Sequence, residues 1–179
     1  MKIRYHTVIA GLPLAAFGTG TLALPAQAAG IDLTVTIPRL HVAEYHRPYV
    51  AMWIEAKDKP DVRTLGIWYD YDMKKGEGTK WLRDVRMWWR KAGRSLTLPA
   101  DGITGATRAP GPQKISFTAG RAPLGTLAPG HYELVVEAAR EVGGRELVRL
   151  PFQWPAKTPQ TVRATGNTEL GAITAVIKP

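Results

Sequence analysis

Hydrophobic and polar residues alternate along Ile31-Asp32-Leu33-Thr34-Val35-Thr36-Ile37. That is the period of a strand with one face buried, and Pro38 ends it by withholding a backbone donor. Pro48 to Glu55 and Thr64 to Tyr69 are rich in β-branched and aromatic side chains and predict a second and a third strand. From Lys80 the period changes. At roughly 100° per residue, Trp81, Leu82, Val85, Trp88 and Trp89 fall on one stripe about 120° wide, while Arg83, Arg86 and Arg90 gather on another face. The spacing predicts one amphipathic helix over 80–91, stopped by Gly93.

Strand signals resume after the helix. Leu96 and Leu98 predict a short strand, Asp101 to Pro112 an exposed loop, and Lys114 to Thr118 another strand. Leu127-Ala128-Pro129-Gly130-His131-Tyr132 matches the corner before a Greek-key strand, where a tyrosine hydroxyl ties back to the backbone. Glu133 to Ala139 alternates onward, Val142-Gly143-Gly144-Arg145 reads as a hairpin turn, and Glu146 to Leu150 returns to Phe152 and Trp154. Pro155 to Gly166 is polar and proline-interrupted, and Ala172 to Ile177 predicts a final edge strand. Short strands punctuated by turns, with one inserted helix, predict an all-β fold: an immunoglobulin-like antiparallel sandwich forming a single domain over 29–179.

Composition narrows the setting. Lys2, Arg4 and His6 precede an apolar run ending in Pro25-Ala26-Gln27-Ala28, the pattern of a secretory signal peptide over 1–28. Without a twin arginine the expected route is general secretion, which delivers an unfolded chain to the periplasm. Cysteine is absent, which excludes disulfides, thiol catalysis and cysteine-ligated metals. Without Lys2 and Arg4 the chain keeps 22 basic against 15 acidic residues, a net +7 that favours anionic partners, with nucleic acid not expected outside the cytoplasm. No Ser-His-Asp set or acid/base pair of carboxylates assembles with any specificity, so no catalytic residue is assigned. His41, Glu44 and His46 sit in an expected loop as solvent-facing residues, and no metal ligand is assigned.

The candidate chemistry lies in the loop. Asp101-Gly102-Ile103-Thr104-Gly105-Ala106-Thr107, followed by Arg108-Ala109-Pro110, is too small and too punctuated for a helix or core strand, and it presents a threonine. This stretch resembles the motif modified by bacterial FMN transferases. In their targets the last Ser/Thr hydroxyl becomes a phosphoester of FMN. The resemblance implies Thr107 as the acceptor and Asp101, Thr104, Gly105 and Ala106, with Arg108 beside them, as its frame. A tethered cofactor needs no glycine-rich phosphate cradle, and the chain has none. Because Trp81, Trp88 and Trp89 lie only a short way upstream, one of them, with Trp88 and Trp89 foremost, is a candidate to stack on the flavin ring. The arginine row is a candidate contact for an acidic redox partner or a phosphate.

Trp81-Leu82-Arg83-Asp84-Val85, Trp88-Trp89-Arg90, Thr104 to Gly111 and Pro129-Gly130 with Tyr132 also resemble a family of predicted bacterial periplasmic proteins. Automatic labels for that family often borrow the name of the flagellar hook-capping protein, which the sandwich alone does not justify. The family's association with FMN transferases and with membrane proteins of electron transfer and iron uptake implies a periplasmic electron carrier. Its donor would be membrane-embedded and its acceptor ferric iron. Two other classes are a cofactor-free immunoglobulin-like binding module and a metal or haem handler using His41 and His46.

Overall fold

A computed structural model describes residues 28–179, so the expected leader falls outside the described residues except for Ala28. Among the described residues nine strands form two sheets: β1 (Gly30–Ile37), β2 (Tyr49–Ala56), β3 (Val62–Trp68), β4 (Thr104–Gly105), β5 (Gly111–Thr118), β6 (Gly130–Ala139), β7 (Arg145–Trp154), β8 (Gln160–Thr165) and β9 (Ala172–Lys178). One sheet has the order β5-β1-β9-β8 and the other β4-β3-β2-β6-β7. The run β3-β2-β6-β7 reproduces the C′-C-F-G sheet of immunoglobulin-like domains, and β5-β1 reproduces the E-B pair opposite it. All pairings are antiparallel except β3 with β4.

Alternation decides which face of each strand is buried. Val35, Ile37, Met52, Ile54, Leu134, Val136, Leu150, Ile173 and Ile177 fill the space between the sheets. The five-stranded sheet buries its other face as well. Ala51, Trp53, Ile67, Tyr69 and Val135 pack against Leu82, Val85 and Trp88 of the segment joining β3 to β4. The molecule therefore has three layers, and β2 is covered on both sides.

That segment is not the continuous helix expected over 80–91. It consists of α1 (Glu77–Lys80), a 3-10 turn (Trp81–Asp84) and α2 (Arg86–Lys91), broken at Val85, whose ψ is 71°. The break follows from the spacing of the buried residues, because Leu82, Val85 and Trp88 recur every third position, the 3-10 period rather than 3.6. It also follows from Glu137 on β6, whose fully buried carboxylate accepts the backbone N–H groups of Met87 at 3.0 Å and Trp88 at 2.9 Å. α2 starts where those donors find an acceptor. Gly93, the expected stop, follows α2; a Cβ there would sit 2.6 Å from the Trp88 ring.

The expected tyrosine corner is present. Tyr132 donates its hydroxyl to the Ala128 carbonyl at 2.7 Å, pinning the chain as it enters β6. Tyr132→Phe removes only that bond and should lower stability by about 1 kcal/mol, read as a shift in urea midpoint at unchanged slope.

Four strand expectations are corrected. Leu96 and Leu98 are not in a strand; Leu96 is exposed and Leu98 rests against the helical layer. Thr104–Gly105 is not irregular but joins the sheet, because β3 offers the free N–H groups of Ile67 and Tyr69 to the carbonyls of Ile103 (2.7 Å) and Gly105 (3.0 Å). Within Pro155 to Gly166 the residues Gln160–Thr165 form β8, with only Val162 and Ala164 turned inward, a pattern of small residues that alternates faintly. β9 is central rather than an edge, lying between β1 and β8.

The β6–β7 hairpin is fastened to the 166–171 turn by two carboxylates. Glu146 accepts the backbone N–H groups of Asn167, Thr168, Glu169 and Leu170, while buried Glu169 pairs with Arg140 at 2.8 Å and accepts Gly144 N–H at 2.7 Å. Burial alone would raise the Glu146 carboxyl, but the converging N–H donors outweigh it and its pKa is lowered. A depressed folded-state pKa means that the contribution is complete above the ordinary value of 4.5 and is lost as pH falls through the lower folded value. Acid titration of the unfolding midpoint should show this loss below that value, and Glu146→Gln should make the curve shallower.

Candidate functional site

The Asp101 loop is held by its own residues. Thr104 accepts the Ala100 N–H on its hydroxyl at 2.9 Å, closing the turn, while Asp101 and Ala106 remain exposed. Gly105 lies against Trp68, where a Cβ would come within 3.1 Å of the indole, so the glycine has a reason inside the fold. Arg108 places its guanidinium over the same indole at 5.3 Å. Between these fixed points, half-buried Thr107 donates its hydroxyl to Asp70 Oδ1 at 2.9 Å. Asp70 lies just beyond the end of β3, so the sheet edge positions both the loop and the carboxylate that holds its threonine.

Asp70 also lines a groove of about 480 Å³, within the size range of small-molecule sites. The groove is walled by the β1–β2 connection, the helical segment and the β6–β7 hairpin. Trp81 faces it and is 53% exposed, whereas Leu82, Val85 and Trp88 of the same segment are buried. Tyr49 adds a phenol held neutral, its pKa pushed up to about 12 by burial and by the neighbouring charge of Asp70.

The charges in the groove are mixed. Arg145 pairs with buried Glu137 at 2.8 Å, and His46 lies 3.4 Å from Glu141. Arg47, Arg86 and Asp84 make no ion pair among the described residues. Arg140 is 6% exposed and bound to Glu169 through two nitrogens, yet its third, Nη1, is buried without a hydrogen-bond partner. Gly143 covers that guanidinium, for a Cβ would come within 2.4 Å of Arg140 Cζ. The groove thus combines an exposed indole, hydrogen-bond donors and acceptors, and a guanidinium with one nitrogen unpaired, beside the carboxylate that holds the Thr107 hydroxyl.

The candidate residues separate in space. Asp101, Thr104, Gly105, Ala106, Thr107 and Arg108 stay together on the loop. Trp88 is fully buried with its Nε1 on Thr64 at 3.0 Å, and Trp89 is half-buried against it at 6.3 Å between centroids. Trp88 therefore has no face left for a ring, and among the three the exposed position belongs to Trp81. The arginine row is divided by the break at Val85: Arg86 lines the groove, while Arg83 donates to the Lys80 carbonyl at 2.9 Å. His41 is exposed, and His46 turns to Glu44 at 2.9 Å. Among the described residues no group of three or more His, Cys, Asp or Glu is placed to hold a metal ion, and no helix is long and apolar enough to cross a membrane. Sequence reasoning missed Asp70 as the partner of Thr107, and missed Arg47, Arg140 and Arg145; no local pattern marks them.

No curated protein and no solved structure matches the chain. A family model described as "Predicted periplasmic protein (DUF2271)" matches residues 30–172, from the start of β1 to the start of β9 and including the Thr107 loop and the whole groove. The chain belongs to this family of predicted periplasmic proteins.

Proposed function

We propose that the protein is a periplasmic electron carrier whose FMN is joined through a phosphoester to Thr107, serving a transmembrane electron-transfer or iron-reduction system. The observation that carries this reading is the position of the Thr107 hydroxyl. It sits on a loop fixed by Thr104, Gly105 and Arg108, and a single carboxylate, Asp70, separates it from the groove beside Trp81.

Bound FMN supplies one- and two-electron chemistry. The chain supplies the anchor. In the attachment step Thr107 Oγ1 forms a bond to phosphorus as a phosphoanhydride P–O bond of the flavin donor breaks. The leaving phosphate takes that electron pair, and the hydroxyl proton goes to a base of the FMN transferase. Thr107 then has no proton to give Asp70, and two negative groups would face each other, so the threonine must turn from the carboxylate. Electrons would enter from a membrane-embedded donor and leave to ferric iron, reduced to ferrous. The protein is thus a redox carrier or reductase subunit rather than a stand-alone enzyme.

The test is co-expression with an FMN transferase, followed by denaturing electrophoresis. Flavin fluorescence should remain on the denatured band. A dark band, from cells whose transferase labels another target, would favour a cofactor-free immunoglobulin-like binding module.

A further inference from the structure

We infer that the groove beside Trp81 seats the ring system of the flavin, an inference that rests on FMN being attached at Thr107. The first ground is the indole itself. Trp81 is 53% exposed in a segment whose other apolar residues are buried or half-buried, so the fold gives it no packing role that explains a tryptophan there. An aromatic ring laid on it would remove that surface from water.

The second ground is the chemistry of the walls. A phosphate or a polyanion would call for cations alone, but here Arg47 and Arg86 stand with Asp70, Asp84 and the neutral phenol of Tyr49. Donors and acceptors around an exposed indole suit a planar heterocycle whose edge carries both kinds of group, which is the description of an isoalloxazine. Arg140, nine-tenths buried beneath this wall with one nitrogen unpaired, has donor capacity that the described residues leave unused.

The third ground is reach. In the bare chain Thr107 donates to Asp70, and Asp70 is part of the wall, so the attachment point and the groove meet at one carboxylate. Tethering raises the local ring concentration to about the millimolar range, so modest contacts suffice to keep the ring in place.

A second cavity, about 230 Å³, opens under the loop between β3 and β5. It is roughly half the size, and the indole on its wall, Trp68, already carries the Arg108 guanidinium. A ring there would have to displace that contact.

The experiment uses the full flavin-loaded protein and compares flavin emission before and after proteolytic digestion. Stacking on tryptophan quenches the flavin, so the folded protein should be severalfold dimmer than its digest. Trp81→Ala should recover most of that emission while peptide mass still shows FMN on the Thr107 peptide. Trp89→Ala, at a residue that packs on Trp88 and does not line the groove, should leave the quenching in place. Equal emission from folded and digested protein, or no recovery in Trp81→Ala, overturns the seat while the attachment stands. Recovery in Trp68→Phe instead would move the ring to the smaller cavity. A Thr107 peptide without FMN overturns attachment and seat together.

Discussion

Thr107→Ala protein, produced beside an FMN transferase that labels the wild type, should be colourless and have the mass of the bare chain. The effect is all or none because the phosphoester needs an oxygen at that position and alanine offers none. Loss of folding is not a competing explanation. The substitution removes one hydrogen bond from a half-buried hydroxyl to Asp70, worth about 1–2 kcal/mol, and leaves both hydrophobic layers intact. Circular dichroism and urea unfolding should show a folded domain. Thr107→Ser keeps the oxygen and should keep the flavin. Label retained by Thr107→Ala would place the attachment elsewhere and separate the pocket from the anchor.

A large effect on stability is expected at Glu137, outside the hydrophobic core. Its side chain is fully buried between the sheet and α2, accepts the Met87 and Trp88 N–H groups, and pairs with Arg145 at 2.8 Å. Glu137→Ala strands two backbone donors at a helix start and leaves a guanidinium without its partner. Arg145 is 41% exposed and can turn to water, so its ion pair gives less than about 1 kcal/mol, whereas each buried donor left unsatisfied costs about 1–3 kcal/mol. The loss should show in the urea midpoint, and near-UV dichroism should fall as the tryptophans lose their fixed environment. Because the same segment carries Trp81 and Arg86, the groove should loosen with it. Glu137→Gln retains an acceptor oxygen and should cost about half as much.

Much of the fold was legible in the chain because one physical rule made it so. Where a strand has one buried face, as in β1 and β9, the alternation of Ile31, Leu33 and Val35, or of Ile173, Ala175 and Ile177, announces it. The tyrosine corner was legible because a short sequence dictates a short-range bond. What the alternation could not give was pairing. Nothing in Ala172 to Ile177 distinguishes a central strand from an edge when the outer face is only half-buried either way. The helical segment departs from its expected continuity for a related reason. A stripe of apolar residues at 81, 82, 85, 88 and 89 satisfies a 3.6-residue period, but Leu82, Val85 and Trp88 satisfy a three-residue one, and Glu137, some fifty residues away, decides between them.

The candidate site divides in the same way. The loop with Thr107 was legible from neighbouring residues. The groove was not, since His46, Asp70, Trp81 and Arg140 come from four separate stretches that only the folded sheet brings together. Of the two aromatics foremost for meeting a ring, Trp88 is claimed by the third layer and Trp89 packs half-buried against it, while Trp81 faces solvent.

Mass spectrometry of the proteolytic peptide that spans Asp101 to Arg108, taken from protein in its native cell envelope, tests the central claim most directly. That peptide should carry the added mass of FMN less one water, with fragment ions placing it on Thr107. A bare Thr107 from cells whose transferase labels its other targets would contradict the electron-carrier account.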